Sequence, residues 1–366
     1  MRILFCGGGT AGHITPALAI AESILEKRSD ADIMFIGREC GDENRMIERR
    51  GFPLKTLSIR GFKRNISIEN FQNILAVIEA LKKSKKIIRE FSPDVVVGTG
   101  GYVTWPVIKS AQKLNIPTVI HESNAAPGLV TKLLAPKCDR LLLNLPGTEK
   151  EFKKKKNVKI VGNPVRDEFL TLSKADARKR LGISGKEFLI VSFGGSGGAR
   201  TMNDAAIALM RSHSANNRSI RHIHGCGNKY EKELKRDFPE FFRGKNGCII
   251  KPYIDDMPTV IRAADAVISR CGAMTIAELS AVGVAAILIP SPNVTNNHQY
   301  KNAKLISDSG AAIMIEEKDL SERALLDAVT KLENDIHLRR SMCDGIRKFY
   351  VEGSEKFIRD EIFSLI

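Results

Sequence analysis

The 366-residue sequence predicts an α/β protein built from two doubly wound parallel sheets, one in each half. Three observations lead there. Short apolar runs alternate with helix-length amphipathic segments almost throughout, the pattern of strands buried on both faces and joined by crossover helices. A glycine-rich strand-to-helix turn occurs in each half, at Cys6-Gly7-Gly8-Gly9-Thr10-Ala11-Gly12-His13 and at Phe193-Gly194-Gly195-Ser196-Gly197-Gly198-Ala199-Arg200. Between the halves, Val161-Gly162-Asn163-Pro164 follows a lysine run and reads as a hinge. It divides the chain into domains at 1–163 and 164–344, with a terminal helix at about 345–366 packing back on the first.

In chain order, Arg2-Ile3-Leu4-Phe5 opens the first strand, and further strands are expected at 32–37, 94–98, 118–122 and 140–144. After the hinge the alternation resumes at 188–193, 219–224, 248–253, 265–269, 285–290 and 311–315, and a strand-free helical stretch follows from 335 to 365. Proline inside a helix costs about 3 kcal/mol, so the first helix is expected to begin with Thr15 as N-cap and Pro16 at its first position. Asp255-Asp256 precedes Met257-Pro258 and opens a helix. From 66 to 91, Phe71, Ile74, Leu75, Ile78 and Leu81 recur at helical spacing before Lys82-Lys83-Ser84-Lys85-Lys86. Two readings fit: an ordinary crossover helix with its apolar side in the core, or a basic amphipathic helix resting on an anionic membrane surface. The preceding Arg60-Gly61-Phe62-Lys63-Arg64, an aromatic between cations, favours the second.

Composition is that of an ordinary globular protein, 43% hydrophobic and 27% charged, so each half has material for its own core. Seven scattered cysteines with no CxxC argue for reduced thiols rather than disulfides or zinc. The strand-like start predicts no signal peptide, and no apolar run reaches the length of a spanning helix. The net charge of +15 points to anionic partners. Nucleic acid is not expected among them: there is no recognition-helix or zinc-finger signature, and aromatics make up only 6%. Lys153-Lys154-Lys155-Lys156 reads as a solvated segment.

Gly7, Gly9 and Gly12 satisfy GxGxxG, so a dinucleotide-dependent dehydrogenase has to be weighed. The position of Pro16 and the absence of a clean ribose-binding acid after Ile36-Gly37-Arg38-Glu39 argue against it. The second glycine turn continues into Ala199-Arg200 instead of a P-loop lysine, which suits a diphosphate cradle, with Ser196 as a donor, and no Walker magnesium arrangement. A third anion site is expected where a strand ends at Arg270 and a helix begins near Ala273; Glu278, one turn in, is placed to accept ribose hydroxyls, against the plainer reading of a surface carboxylate. The amides of Asn296-Asn297-His298-Gln299 suit sugar hydroxyls. Gly98-Thr99-Gly100-Gly101-Tyr102 and His121-Glu122-Ser123-Asn124 both fall at strand C-termini, the ligand-binding edge of open α/β sheets. No metal-ligand set is recognisable, and neither metal nor cofactor is expected.

Taken together, these residues resemble the MurG family, the cytoplasmic-side N-acetylglucosaminyltransferases that complete lipid II in peptidoglycan synthesis. The resemblance spans nearly the whole chain. It rests on Gly8 to His13, Gly100-Gly101-Tyr102-Val103, His121 to Asn124, Gly162-Asn163-Pro164-Val165-Arg166, Gly194-Gly195-Ser196, Ile254-Asp255-Asp256-Met257, Arg270 to Glu278, and Gln299-Tyr300. It implies a GT-B architecture, two Rossmann-like domains facing a cleft, and an inverting transfer of GlcNAc from UDP-GlcNAc to the 4-hydroxyl of the MurNAc of lipid I. Carried over, Ile254 holds the uracil, Ser196 and Thr275 the diphosphate, and Glu278 the ribose. Ala273, Met274, Ile276, Ala277 and Gln299 line the donor, completed by Thr10, Ala11, Gly12, Asn124 and Arg166. Gly9, Thr10, Gly12, Gly100, Gly101 and Tyr102 receive the acceptor diphosphate. His13 is the candidate general base and Glu122 its rival; the plainer alternative makes His13 a helix-capping residue.

The implied partners are UDP-GlcNAc, a polyprenyl-pyrophosphate-linked acceptor and an anionic membrane surface, which places the protein peripherally on the cytoplasmic face of the bacterial inner membrane. The chain departs from the family's usual residues at Ala11, Ser123, Gly197, Cys271 and His298; Ala11 adds a methyl group in a loop expected to need positive φ. The alternatives are another lipid-directed GT-B transferase with a different sugar or a glycerolipid acceptor, and a non-catalytic binder of nucleotide sugars or membranes.

Overall fold

Apolar strands need cover on both faces, and the chain supplies it by placing a helix after almost every strand. A computed structural model describes residues 1–41, 44–59, 68–153, 157–195, 197–215 and 220–366. The Arg60 to Arg64 cluster, Lys154 to Lys156 and Ser196 lie outside the described residues. The chain divides into two units, Met1–Val165 with Val351–Ile366, and Arg166–Tyr350.

In the first unit the elements are β1 (Arg2–Gly7), α1 (Ala11–Lys27), β2 (Asp32–Arg38), α2 (Asn44–Arg49), β3 (Leu54–Leu57), α3 (Ile68–Phe91), β4 (Val95–Gly100), α4 (Thr104–Lys113), β5 (Thr118–Glu122), α5 (Leu129–Leu134), β6 (Arg140–Leu143) and β7 (Val158–Ile160). The parallel sheet runs β3-β2-β1-β4-β5-β6-β7. One face carries Ile3, Phe5, Val95 and Val97 against Ile14, Ile20 and Ile24; the other carries Leu4, Val96 and Ile120 against Ile88, Val107 and Ile108. In the second unit come α6 (Glu168–Thr171), α7 (Lys174–Arg180), β8 (Phe188–Phe193), α8 (Arg200–Ala215), β9 (Ile220–Gly225), α9 (Glu231–Asp237), α10 (Pro239–Phe242), β10 (Cys248–Lys251), α11 (Met257–Ala263), β11 (Ala266–Ser269), α12 (Ala273–Val282), β12 (Ala285–Leu288), α13 (His298–Asp308), β13 (Ile313–Met314), α14 (Glu322–Asn334) and α15 (Ile336–Arg347). Its parallel sheet runs β10-β9-β8-β11-β12-β13.

Both sheets reverse direction beside their first strand, between β1 and β4 and between β8 and β11. Loops leaving neighbouring strands at that point diverge to opposite faces and open a crevice at the strand C-termini, where ligands of doubly wound sheets bind. Each glycine-rich turn lies at such a point.

The last helix, α16 (Ser354–Phe363), belongs to the first unit. Ile358 and Ile362 are fully buried in its core, Ser354 donates to the Asn163 carbonyl at 2.8 Å, and Arg359 donates to the Ser23 hydroxyl at 2.8 Å. Glu361 pairs with Arg140 and Lys159. Asp256 caps α11, accepting from the Thr259 N–H at 3.1 Å.

Four sequence expectations need correction. First, α1 starts at Ala11 with Thr10 as N-cap, so Pro16 lies inside the helix and Thr15 is not the cap. The favourable start offered by Pro16 is overridden by packing: Ile14, Pro16, Ala17 and Leu18 are buried, and helix from Ala11 onward carries them to the sheet. The helix thus begins within the glycine motif after all, and Pro16 no longer counts against a dinucleotide fold. Second, Ala11 occupies the first helical position and needs no left-handed backbone. Third, β3 and β7 were not foreseen; they are short edge strands with half-exposed alternation and little apolar signal. Fourth, α3 turns Ala80, Ser84, Ile87 and Ile88 inward while Leu75 and Ile78 are exposed, so of its two readings the one that puts both of those apolar positions in the core is corrected.

Candidate active site

In the first unit the site grows from two backbone turns in direct contact. Gly8 N–H donates to the Gly100 carbonyl at 3.3 Å. Gly101 adopts φ +85°, and a Cβ there would stand 1.9 Å from the Gly8 oxygen, so no other residue allows the two loops to meet. A Cβ on Gly100 would fall 2.4 Å from His13 Nδ1: the imidazole packs into the space that this glycine leaves. The Thr104 hydroxyl bonds the Gly100 carbonyl at 2.8 Å and fixes the second turn from below.

His13 is half-buried in the first turn of α1, and its Nδ1 lies 3.2 Å from the Thr99 carbonyl. A carbonyl only accepts, so the neutral ring carries its proton on Nδ1 and its lone pair on Nε2, the tautomer suited to taking a proton. Thr10 and Gly12 are exposed around the α1 N-terminus, whose N–H groups and dipole favour an anion. Tyr102 is also exposed, 42% accessible.

Glu122 is buried at the end of β5 and holds four donors. Oε1 accepts from the Asn124 backbone at 3.1 Å and its side-chain amide at 3.2 Å; Oε2 accepts from Gly128 N–H at 3.0 Å and the Thr131 hydroxyl at 2.7 Å. The carboxylate thereby ties the turn after β5 to the start of α5. His121, beside it, bonds the Gly162 carbonyl through Nε2 at 3.0 Å, and burial lowers its pKa, keeping the ring neutral.

In the second unit, α12 begins just after β11, with Gly272 as its N-cap and no acid in its first turn, so the positive end of its dipole carries no acidic side chain of that turn. Ala273, Met274 and Thr275 are half-buried around that end, Ile276 and Ala277 are buried beneath it, and the Thr275 hydroxyl lies near Gly272. Glu278 follows one turn on. Burial pushes its carboxyl up to about 7, opposed by the nearby Arg166 guanidinium, itself exposed and stacked 5.3 Å from the Phe169 ring centre.

Gln299 at the start of α13 accepts from Ser291 N–H at 2.9 Å and Cys271 N–H at 3.3 Å. This fixes its side-chain orientation and joins the turns after β11 and β12. Ile254, buried after β10, packs its side chain against Gly225. Gly195 and Gly197 have open space where a Cβ would stand, although Gly195 is restricted by φ +92°. Gly198 is at φ +71°, and a Cβ there would meet the Cys226 carbonyl at 2.0 Å.

The first unit thus brings together Gly9, Thr10, Gly12, His13, Gly100, Gly101 and Tyr102; the second brings together Arg166, Glu278, Thr275 and the α12 start. Several supports were missed from sequence. Thr99 orients His13, Thr131 and Gly128 satisfy Glu122, and Arg270 is held by the Ile289 carbonyl at 3.3 Å, the Thr201 hydroxyl at 3.2 Å and an ion pair with Glu317. The Thr99 and Thr201 partners lie 86 and 69 residues away, beyond any local spacing rule.

Comparison with known proteins matches residues 3–143 to the glycosyltransferase family 28 N-terminal domain and residues 189–354 to the glycosyltransferase family 28 C-terminal domain. Proteins named UDP-N-acetylglucosamine–N-acetylmuramyl-(pentapeptide) pyrophosphoryl-undecaprenol N-acetylglucosamine transferase are similar over nearly the full length. The one from Thermoanaerobacter sp. (strain X514) is 41% identical over 98% of both chains. That of Acetivibrio thermocellus (strain ATCC 27405) is 41% identical over 99% of this chain and 97% of its own. That of Clostridioides difficile (strain 630) is 37% identical, covering 100% and 89%. Among solved structures, Acinetobacter baumannii MurG superposes with a TM-score of 0.79 at 24% identity over 99% of both chains. The calicheamicin glycosyltransferase CalG4 gives 0.70 at 15% identity, covering 100% and 98%. Both share the GT-B fold described above.

Proposed function

The chain belongs to the MurG family of glycosyltransferase family 28, and from that premise we propose that it transfers GlcNAc from UDP-GlcNAc to the 4-hydroxyl of the MurNAc of lipid I, giving lipid II. The observation that carries this reading is identity of 41% over 98% of the chain to a relative bearing that name, with two further relatives of the same name alongside.

The reaction is one inverting displacement. The acceptor oxygen forms a bond to the anomeric carbon, the bond from that carbon to the UDP oxygen breaks, and the acceptor proton passes to His13 Nε2. The hydrogen bond from Nδ1 to the Thr99 carbonyl supports His13 as base, because it holds the lone pair on Nε2 and steadies the cation formed. Glu122, the rival, already accepts four hydrogen bonds, which supports a bracing role for it. The α1 start, with Gly9, Thr10, Gly12, Gly100, Gly101 and Tyr102, receives the acceptor diphosphate.

On the donor, Ile254 holds the uracil, Glu278 the ribose, and Ser196, Thr275 and the α12 N-terminus the diphosphate, with Ala273, Met274, Ile276, Ala277, Gln299, Asn124 and Arg166 completing the contacts. The helix terminus stabilises the charge that builds on departing UDP.

A polyprenyl acceptor stays in the bilayer, so the enzyme has to work at its surface. Leu75, Ile78, Lys82 and Lys86 share an exposed face of α3, and Leu129 and Leu133 of α5 are exposed at 64% and 60%; these support peripheral binding to an anionic membrane. Among the described residues no helix is long and apolar enough to cross a membrane. This reading puts the enzyme on the cytoplasmic face of the bacterial inner membrane, where its nucleotide-sugar donor is found.

The test is UDP release from UDP-GlcNAc, UDP-glucose and UDP-GalNAc with a lipid I analogue or a diacylglycerol. Acceptor-dependent turnover selective for UDP-GlcNAc with lipid I is expected. Turnover only with another sugar or with the glycerolipid would overturn the assignment.

A further inference from the structure

Beneath the second glycine turn, a chain of buried side chains runs through the sheet of the second unit. The Asn203 side-chain amide donates to the Cys226 carbonyl at 3.1 Å. Its Oδ1 lies 3.0 Å from His224 Nε2, which must therefore be the donor. His224 Nδ1 is then an acceptor and takes a hydrogen bond from the Ser192 hydroxyl at 2.7 Å. The same hydroxyl oxygen accepts from His222 Nε2 at 2.7 Å. Every proton in the series is thus assigned by its neighbours, and Ser192, Asn203, His222 and His224 are all at most 1% exposed. Burial lowers the pKa of both histidines, that of His224 to about 4, so the series stays neutral.

The chain ends at the turn leaving β9, which is wedged between two segments assigned to the donor. On one side the Cys226 carbonyl fills the place of a Gly198 Cβ at 2.0 Å, and Gly227 lies so close that its own Cβ would be 2.5 Å from Gly198 N. On the other side Gly225 meets the Ile254 side chain, 3.2 Å from where its Cβ would be. Shifting the Gly225 to Gly227 backbone would therefore move the diphosphate turn and the uracil contact together.

We propose that the His222–Ser192–His224–Asn203 relay positions this turn, and that His224 and Asn203 are positioning residues for the UDP moiety of the donor. The inference rests on the reading of the second unit as the UDP-sugar site. Hydrogen bonds at fixed geometry hold a binding turn with little freedom, and buried polar groups that lose a partner displace their neighbours.

The test compares wild-type, Asn203→Leu, His224→Leu and His224→Gln proteins for UDP affinity by calorimetry and for KM of each substrate. Glutamine keeps an acceptor and a donor on one side chain. The leucine variants are expected to bind UDP about ten-fold more weakly, with KM for the lipid acceptor within about two-fold of wild type and glutamine recovering most of the loss. A folded Asn203→Leu protein with unchanged UDP affinity overturns the relay, as does an equal rise in both KM values, which is the mark of a disturbance not confined to the donor. If neither leucine variant folds, Ser192→Ala decides: a loss of about three-fold in UDP affinity supports the relay, and none overturns it. Failure of the wild-type protein to bind UDP at all overturns the donor-site reading and the relay with it.

Discussion

At His13 the two ring nitrogens have different tasks: Nδ1 is committed to the Thr99 carbonyl, and Nε2 carries the lone pair. His13→Ala is expected to lower kcat by roughly 100- to 10,000-fold while leaving UDP affinity within about two-fold, measured by turnover and calorimetry on the same preparation. A comparable loss of UDP affinity would assign the residue to binding instead. Glu278 makes a second, separable prediction. Its carboxyl is raised to about 7 in the folded protein, from an ordinary value near 4.5, because burial disfavours the charge. The folded state therefore holds its proton more tightly than the unfolded chain. The stability this gives is fully present below pH 4.5 and is lost as pH rises through about 7. Glu278→Gln should then be more stable than wild type at pH 8, by on the order of 2 kcal/mol in denaturant titrations, and indistinguishable at pH 4. The same substitution should weaken UDP-GlcNAc binding, since an ionised carboxylate offers an acceptor oxygen to each ribose hydroxyl, whereas the neutral amide replaces one of them with a donor. Wild-type donor affinity should fall as pH drops below about 7, a dependence the variant lacks.

Among the elements, α3 separates two jobs that its sequence blends. Ala80, Ser84, Ile87 and Ile88 face the sheet, while Leu75 and Ile78 at 57% and 46% exposure stand outward in line with Lys82 and Lys86. Replacing both Leu75 and Ile78 with Glu should reduce co-sedimentation with anionic vesicles at least about five-fold without shifting the melting temperature, since no buried contact is lost. Retained vesicle binding would move the membrane surface elsewhere. The sequence periodicity was sufficient to place a helix here, but it assigned the apolar positions to one stripe. Which of them meets the core depends on the angle at which α3 lies over its sheet. The start of α1 is the same kind of case: Pro16 argues locally for a later start, and the burial of Ile14, Ala17 and Leu18 prevails.

For the molecule as a whole, α16 completes the first unit although it is last in sequence, with Ile358 and Ile362 wholly inside the core built by α1 and the sheet. Ile358→Ala should destabilise the first unit by about 3 kcal/mol in urea unfolding, the ordinary penalty for an emptied core site; a change below about 1 kcal/mol would mean α16 docks only loosely. The sequence by itself determined the two parallel sheets, the glycine turns beside them and the helix start after β11. These follow from continuous apolar runs, backbone freedom and strand-to-helix order, which are local properties. The tertiary structure alone decided that His13 is oriented by Thr99, that Glu122 is saturated by Asn124, Gly128 and Thr131, and that the turn after β9 is locked through Asn203 and His224. Protonation and hydrogen-bond commitment belong to neighbours in space, many of them distant along the chain, and only folding brings those neighbours together.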